Sequence, residues 1–294
     1  MSFFWQDPSF IKSLNSLKLV IKNQARGIRF GENRSKQFGS GVEVSHLKNY
    51  SIGEDVKNID WNASFRLNRT FVKVFSETRE NNVYIMIDRS LSMAFGEPET
   101  KRNFALKLAY CIAYLSLSGY NKVYLIEFGD SVYSAEQISR VNINRKFIKL
   151  CEEPSSGGTT FAKSLSGFFA NFKKRGLLFL ISDFIDEGLS IIDYVSRIAL
   201  SHNFCVLHVL SDDDVEIAET GEYKYEDSET GETVELSLTP EAAREYGQRI
   251  NEFCGLLMSK AQRYGGVYKK AMCGARHVEI LKDALRMTAV NRGE

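Results

Sequence analysis

Asp88, Ser90 and Ser92 are the first residues whose types and spacing suggest chemistry. They stand at alternate positions directly after the apolar run Tyr84-Ile-Met-Ile. One carboxylate and two hydroxyls are hard oxygen ligands, suited to Mg²⁺ rather than to zinc or copper. Two later stretches extend the set. Ser155-Ser-Gly-Gly-Thr159-Thr160 is a glycine-rich loop ending in hydroxyls just before the helical run that opens at Phe161, and Leu177-Leu-Phe-Leu-Ile-Ser-Asp183 is a second apolar run ending in aspartate. Each piece alone has a plainer explanation, because Asp and Ser after a strand often cap a helix and Gly-Gly-Thr makes turns. Three pieces in order, each at a strand end or a helix start, favour one shared metal site.

The elements that must position these residues follow from periodicity. A continuous apolar run bounded by polar residues reads as a strand buried on both faces of a parallel sheet. Its carboxyl end is where ligands bind in open α/β sheets. Phe104, Leu108, Cys111, Ile112 and Leu115 mark one face of a helix over 100–118. Further helices are predicted near 144–151, 161–174, 188–200, 240–264 and 277–287. Strands are predicted at 123–128, 177–182, 204–210 and 267–270, with a short edge strand near 131–134. Pro240 suits the first turn of the long helix. This alternation predicts an α/β fold, a doubly wound and mostly parallel sheet with right-handed crossovers.

The pattern Asp-x-Ser-x-Ser, then Gly-Gly-Thr, then strand-Ser-Asp resembles the metal-ion-dependent adhesion site of von Willebrand factor A domains, a Rossmann-like fold. Matched position by position, the resemblance implies Asp88, Ser90, Ser92, Thr159 and Asp183 as ligands of Mg²⁺ or Mn²⁺. A second resemblance reaches beyond the A domain. Leu47-Lys-Asn-Tyr50-Ser-Ile-Gly53-Glu-Asp55-Val-Lys-Asn-Ile59-Asp60-Trp61 is similar to the signature of the "domain of unknown function fifty-eight" family, and Asp227-Ser-Glu-Thr-Gly231 to its insert. Lys48 and Lys57 stand where arginine is usual, and lysine cannot form arginine's bidentate fork. The family resemblance implies a non-enzymatic companion of MoxR-type AAA+ ATPases that helps to mature or remodel other proteins. In that role the metal would accept an acidic side chain from the ATPase or a client. The resemblance covers roughly 8–287 as one elaborated domain, within which the sequence pattern reads as an amphipathic helix and basic segment over 1–36, a β-rich layer over 37–80, and an A-type domain over 81–294 with an acidic hairpin insert at 211–238.

Composition narrows the alternatives. Lys+Arg 38 against Asp+Glu 37 gives a net charge of +1, so no global attraction to nucleic acid is expected. The five cysteines are scattered singly, and most lie in apolar runs and read as small core residues of a reducing compartment. No stretch approaches the roughly 20 apolar residues needed for a transmembrane span, and lysines interrupt the N-terminal apolar residues, so a cytoplasmic location is expected. Phosphate-loop, nucleophile-elbow and His-Glu-x-x-His motifs are missing. The enzyme alternative is a Mg²⁺-dependent phosphohydrolase of the haloacid dehalogenase type, with Asp88 as nucleophile. That chemistry needs a carboxylic acid two residues on, where Ser90 stands. Of the four histidines, His208 lies inside a strand run and is expected to be a hydrogen-bonded core residue.

Three segments carry two readings each. Phe10, Leu14, Leu17 and Ile21 form one helical face, with basic residues over 12–36. A solvated face on a helix that packs back on the domain is the simpler explanation, and docking on an acidic or membrane surface the other. Residues 37–80 alternate between turn signals, predicting an antiparallel layer. There Glu43, Asp55, Asp60, Arg66 and Glu77 beside Trp61 suggest a buried ion-pair network, or else a partner surface. The acidic hairpin is either a contact surface or an edge cover.

Overall fold

The computed structural model describes residues 3–24, 43–76, 81–158, 160–185, 190–215, 221–226 and 233–290. In chain order the elements are α1 (Pro8–Gln24), β1 (Glu43–Asn49), α2 (Trp61–Leu67), β2 (Phe71–Ser76), β3 (Asn82–Asp88), α3 (Lys101–Ser118), β4 (Lys122–Phe128), β5 (Val132–Ile138), α4 (Ile143–Glu152), α5 (Phe161–Asn171) and β6 (Gly176–Ser182). There follow α6 (Ser190–Ser201), β7 (Asn203–Leu210), α7 (Asp212–Val215), β8 (Gly221–Glu226), β9 (Thr233–Leu238), α8 (Pro240–Arg263), β10 (Val267–Met272) and α9 (His277–Val290). The chain divides into two compact units, one of residues 1–30 and 81–294, the other of residues 31–80.

The larger unit is built on a six-stranded sheet in the order β10-β7-β6-β3-β4-β5. All pairings are parallel except β4–β5. Strand periodicity explains the two apolar layers. Val83, Ile85 and Ile87 of β3 face the core formed with α3, α4, α1 and α9, whereas Tyr84 and Met86 face the core formed with α5, α6 and α8. A strand with both faces covered must be apolar throughout, which is why the runs in β3, β6 and β7 carry no alternation. β5 does alternate, half-buried and exposed, as an antiparallel edge strand should. Its polar residues Ser134, Glu136 and Gln137 hid its true length from the predicted 131–134.

The strand order creates a switch point. After β3 the chain crosses through α3 to β4, and after β6 it crosses through α6 to β7 on the other side. α3 packs on one face and α6 on the other. A crevice therefore opens between the carboxyl ends of β3 and β6, the place where such sheets bind ligands. Close approach of these two strands leaves no room at Gly176, where an added Cβ would lie 2.4 Å from the backbone oxygen of Asn82. We expect Gly176→Ala to destabilise the protein by about 1–3 kcal/mol in a urea titration. A loss below roughly 0.5 kcal/mol would show that the strands can part there at little expense.

Helix α1 buries Phe10, Leu14 and Leu17 in the larger unit's core, with Phe10 packed on His277 of α9 and Trp5 stacked on Tyr110 of α3. The side chain of Ile21 lies outside the described residues, as do most of the basic residues that follow. Among the described residues no helix is long and apolar enough to cross a membrane.

In the smaller unit, β1 and β2 pair antiparallel as predicted. The expected buried ion-pair network is not found among its described residues. Asp55 and Asp60 serve as caps instead: Asp55 accepts from the backbone N–H of Lys57, and Asp60 accepts from that of Ala63 to open α2. Two ion pairs among the described residues, Lys48–Glu54 and Lys73–Asp60, are partly exposed. Strands β8 and β9 form the predicted hairpin, and its Glu-Thr-Gly turn lies outside the described residues.

Candidate metal centre

The end of β3 and the loop after it carry Asp88, Ser90 and Ser92, and the end of β6 carries Asp183, so the crevice brings four of the five predicted ligands together. Asp88 Oδ1 accepts from the backbone N–H of Ser90 at 2.9 Å, and Asp88 Oδ2 accepts from Ser182 Oγ at 2.5 Å. Ser90 Oγ and Ser92 Oγ are hydrogen-bonded at 2.9 Å, and Ser92 Oγ donates to Asp183 Oδ1 at 3.2 Å. Mg²⁺ holds oxygens at about 2.0–2.1 Å, which sets adjacent ligands of an octahedron about 2.9 Å apart. The Ser90 and Ser92 oxygens lie at that spacing, and the Ser92 and Asp183 oxygens lie slightly wider, at 3.2 Å. Their chemistry and geometry therefore fit a small hard cation, with Asp88, Ser90, Ser92 and Asp183 as its holders. Among the described residues no three His, Cys, Asp or Glu side chains group around a metal. The candidate here draws half of its described ligands from serine.

The fifth predicted ligand, Thr159, lies outside the described residues. Its loop is nonetheless stitched to the site from both sides. Leu91 donates its N–H to the carbonyl of Gly157 at 2.9 Å, Ser156 to Arg89 at 2.9 Å, and Thr160 to Gly129 at 2.9 Å. Gly157 has φ +71°, a conformation that favours glycine.

Electrostatics favour a cation. Burial pushes the Asp88 carboxyl up to about 7, and the charge of Asp183 adds to the shift against the opposing bonds from Ser182 and Ser90. Two carboxylates buried together repel unless something positive joins them, and of the two Asp183 has the Lys101 ammonium beside it, at 2.7 Å. Backbone strain aims the second one: Phe184, the residue after Asp183, is buried with φ +54°, a conformation that bulky residues rarely adopt. Its N–H donates to Ser182 Oγ at 3.0 Å, and that of Ile185 to Asp183 Oδ1 at 3.3 Å.

The sequence pattern passed over several residues that complete the site. Lys101, buried at the first turn of α3, sets its ammonium 2.7 Å from Asp183 Oδ2 and 3.1 Å from Asp214 Oδ1. The contact with Asp183 lies outside hydrogen-bond angles, so it is ionic. Burial by itself would lower the Lys101 ammonium, but Asp183 and Asp214 outweigh it and the net shift is upward. Asp214 is fixed in turn by the N–H and hydroxyl of Ser211, each at 2.8 Å. Beneath the site Arg102 donates to the backbone carbonyl of Asp88 at 3.3 Å, to Glu127 Oε1 at 2.7 Å and to the carbonyl of Leu150 at 3.1 Å. The legible signals were the Lys-Arg pair opening α3 and the Asp212-Asp-Asp run directly after β7.

His208 is the core residue its sequence context predicts. Its Nε2 bonds the carbonyl of Asp183 at 2.9 Å and its Nδ1 the hydroxyl of Tyr268 at 2.9 Å, while burial holds its pKa down at about 4. Cys111, Cys205, Cys254 and Cys273 are buried free thiols, and Cys151 is exposed.

Comparison with known proteins matches residues 46–252 to a family model described as "Protein of unknown function DUF58". The chain is 25% identical over 245 residues to "Uncharacterized protein Rv1480" of Mycobacterium tuberculosis (strain ATCC 25618 / H37Rv), covering 80% of this chain and 75% of that one. The same figures hold for "Uncharacterized protein Mb1516" of Mycobacterium bovis. Among solved structures, BatB from Bacteroides thetaiotaomicron superposes with a TM-score of 0.42 at 14% identity, over 71% of this chain and 99% of that one. The SpRpn10 VWA domain gives 0.39 at 14% identity, over 74% and 99%. A von Willebrand factor type A protein from Catenulispora acidiphila gives 0.37 at 13% identity, over 76% and 44%.

Proposed function

The chain belongs to the DUF58 family, and from that premise we propose that it is a non-enzymatic, metal-dependent protein-interaction module. In this reading it serves as an adaptor for a MoxR-type AAA+ ATPase in the maturation of proteins or complexes. The observation that carries the reading is the convergence of Asp88, Ser90, Ser92 and Asp183 oxygens in the crevice between β3 and β6. A bound Mg²⁺ or Mn²⁺ would supply an electrophilic position for a carboxylate from a partner. The residues of the chain do the rest: the serines contribute neutral ligands, Ser182 orients Asp88, and the Gly157 loop closes one side. The choice of a MoxR-type ATPase as partner rests on the family resemblance alone.

The smaller unit adds a second reason to think of partners. Ile52, Val56, Trp61 and Phe65, all within residues 52–65, are exposed, and exposed apolar side chains are available for contact. Weighing against a phosphohydrolase is the residue two positions after Asp88, which is Ser90. No carboxylic acid stands at position 90 to protonate a leaving group.

Binding to a MoxR-type ATPase from the same cell tests the proposal. Wild type should bind in Mg²⁺ and lose at least about tenfold in affinity in EDTA, a difference of roughly 1.4 kcal/mol. Asp88→Ala should bind weakly in both. Equal binding by the variant and the wild type would sink the metal-gated adaptor, and Mg²⁺-dependent phosphate release that requires Asp88 would replace it with the enzyme.

A further inference from the structure

Lys101 sits where a lysine is doubly disfavoured. It opens a helix, whose N-terminal dipole repels a cation, and it is only 2% exposed. It is nonetheless held between two aspartates, one directly after β6 and one in α7, with its ammonium 2.7 Å from Asp183 Oδ2 and 3.1 Å from Asp214 Oδ1. Asp214 has no part in the predicted ligand set, and its other oxygen is occupied by Ser211. We propose that Lys101 is a tethered cation that determines the charge of the metal centre, loosening its hold on the metal so that the loaded site accepts a partner's carboxylate.

Charge balance underlies this inference, which rests on the metal reading above. Asp88, Asp183 and Asp214 against Lys101 leave two negative charges, which one divalent ion cancels. The loaded site is then neutral, and an incoming carboxylate meets the ion without net repulsion. Without the ammonium the loaded site would stay anionic. It would hold the ion more tightly and repel the carboxylate, so the two affinities move in opposite directions. Lys101 also engages Asp183 Oδ2 and leaves Oδ1 facing Ser92, so that only one oxygen of that carboxylate is turned toward the ligand set.

Mn²⁺ provides the probe, with binding followed by electron paramagnetic resonance and acetate access by water-proton relaxation of the Mn²⁺-loaded protein. Lys101→Met should bind Mn²⁺ roughly tenfold tighter or more than the wild type, because a unit charge close to a divalent ion has been removed. Acetate should displace metal-bound water in the wild type and do so at least about tenfold less well in the variant. Asp214→Asn, which removes a negative charge and leaves the Lys101–Asp183 contact, should bind Mn²⁺ more weakly than the wild type. A purely structural lysine would weaken Mn²⁺ binding in both variants. A folded Lys101→Met that binds Mn²⁺ no tighter than wild type overturns the inference and leaves the metal reading standing. If Lys101→Met does not fold, undiminished Mn²⁺ binding by Asp214→Asn overturns it in the same way. A wild type that binds no Mn²⁺ removes the metal reading itself.

Discussion

In metal-free buffer at pH 8, Asp88→Asn is expected to melt several degrees above the wild type, and added Mg²⁺ should reverse the order. Burial, and then the charge of Asp183, raise the Asp88 carboxyl from 3.8 to about 7 in the folded protein. Between those values the native state keeps a proton that the unfolded chain has released. Stability therefore falls as pH rises through this window, and the full penalty is present above about pH 7. Three pH units correspond to about 4 kcal/mol as an upper bound. Asparagine removes that penalty and keeps an acceptor for the Ser90 N–H, but it loses the acceptor used by Ser182, worth about 1 kcal/mol. The net gain of about 2–3 kcal/mol corresponds to roughly 5–10 °C for a domain of this size. Near pH 4 most of the advantage should vanish, since Asp88 is then protonated in the native state and partly protonated in the unfolded chain. Mg²⁺ stabilises only a protein that binds it when folded, so the wild type should rise and the variant should not. Parallel melting curves at pH 4 and pH 8 would show that Asp88 is not strained by its burial.

The second large effect is expected at Arg102. Its guanidinium is buried and joins the end of β3, the side chain of Glu127 on β4 and the last turns of α4. Glu127 is 1% exposed, and beyond Arg102 it accepts a bond from Ser134 at 3.2 Å. Arg102→Met would leave that carboxylate buried without its cation, at about 3–5 kcal/mol. The double variant Arg102→Met, Glu127→Leu should recover most of the loss, because two apolar groups replace both charges. Urea unfolding of the three proteins measures this directly. Additive losses in the double variant would show that the two side chains are not coupled. The loop after β3 depends on the same arginine through the Asp88 carbonyl, so Arg102→Met should also weaken metal binding.

The parallel core was legible because a strand buried on both faces has to be apolar at every position, as in Tyr84 to Ile87 and Leu177 to Ile181. The same pattern made Asp88 and Asp183 conspicuous, since each ends such a run. Short elements were less legible. Ile59-Asp60-Trp61 carries β-forming residues, yet Asp60 opens a helix there by capping Ala63. Lys101 could not be found from spacing, because a lysine in a helix's first turn is ordinarily solvated and its partner Asp214 lies 113 residues away. Ser182 was visible only as part of a Ser-Asp pair, and its role appeared once β6 was set beside β3. Thr159 belongs to the predicted set and lies outside the described residues, although its loop is bonded to the Asp88 loop at Leu91 and Arg89.

A calorimetric titration of Mg²⁺ into the purified protein at neutral pH, beside Asp88→Ala and Ser92→Ala, addresses the centre most directly. The wild type should bind one ion per chain, Asp88→Ala should bind none, and Ser92→Ala should bind at least about tenfold more weakly, the loss of one ligand being worth over roughly 1.4 kcal/mol. Mg²⁺ binding of equal strength in all three proteins, or none in the wild type, would contradict a metal centre between β3 and β6.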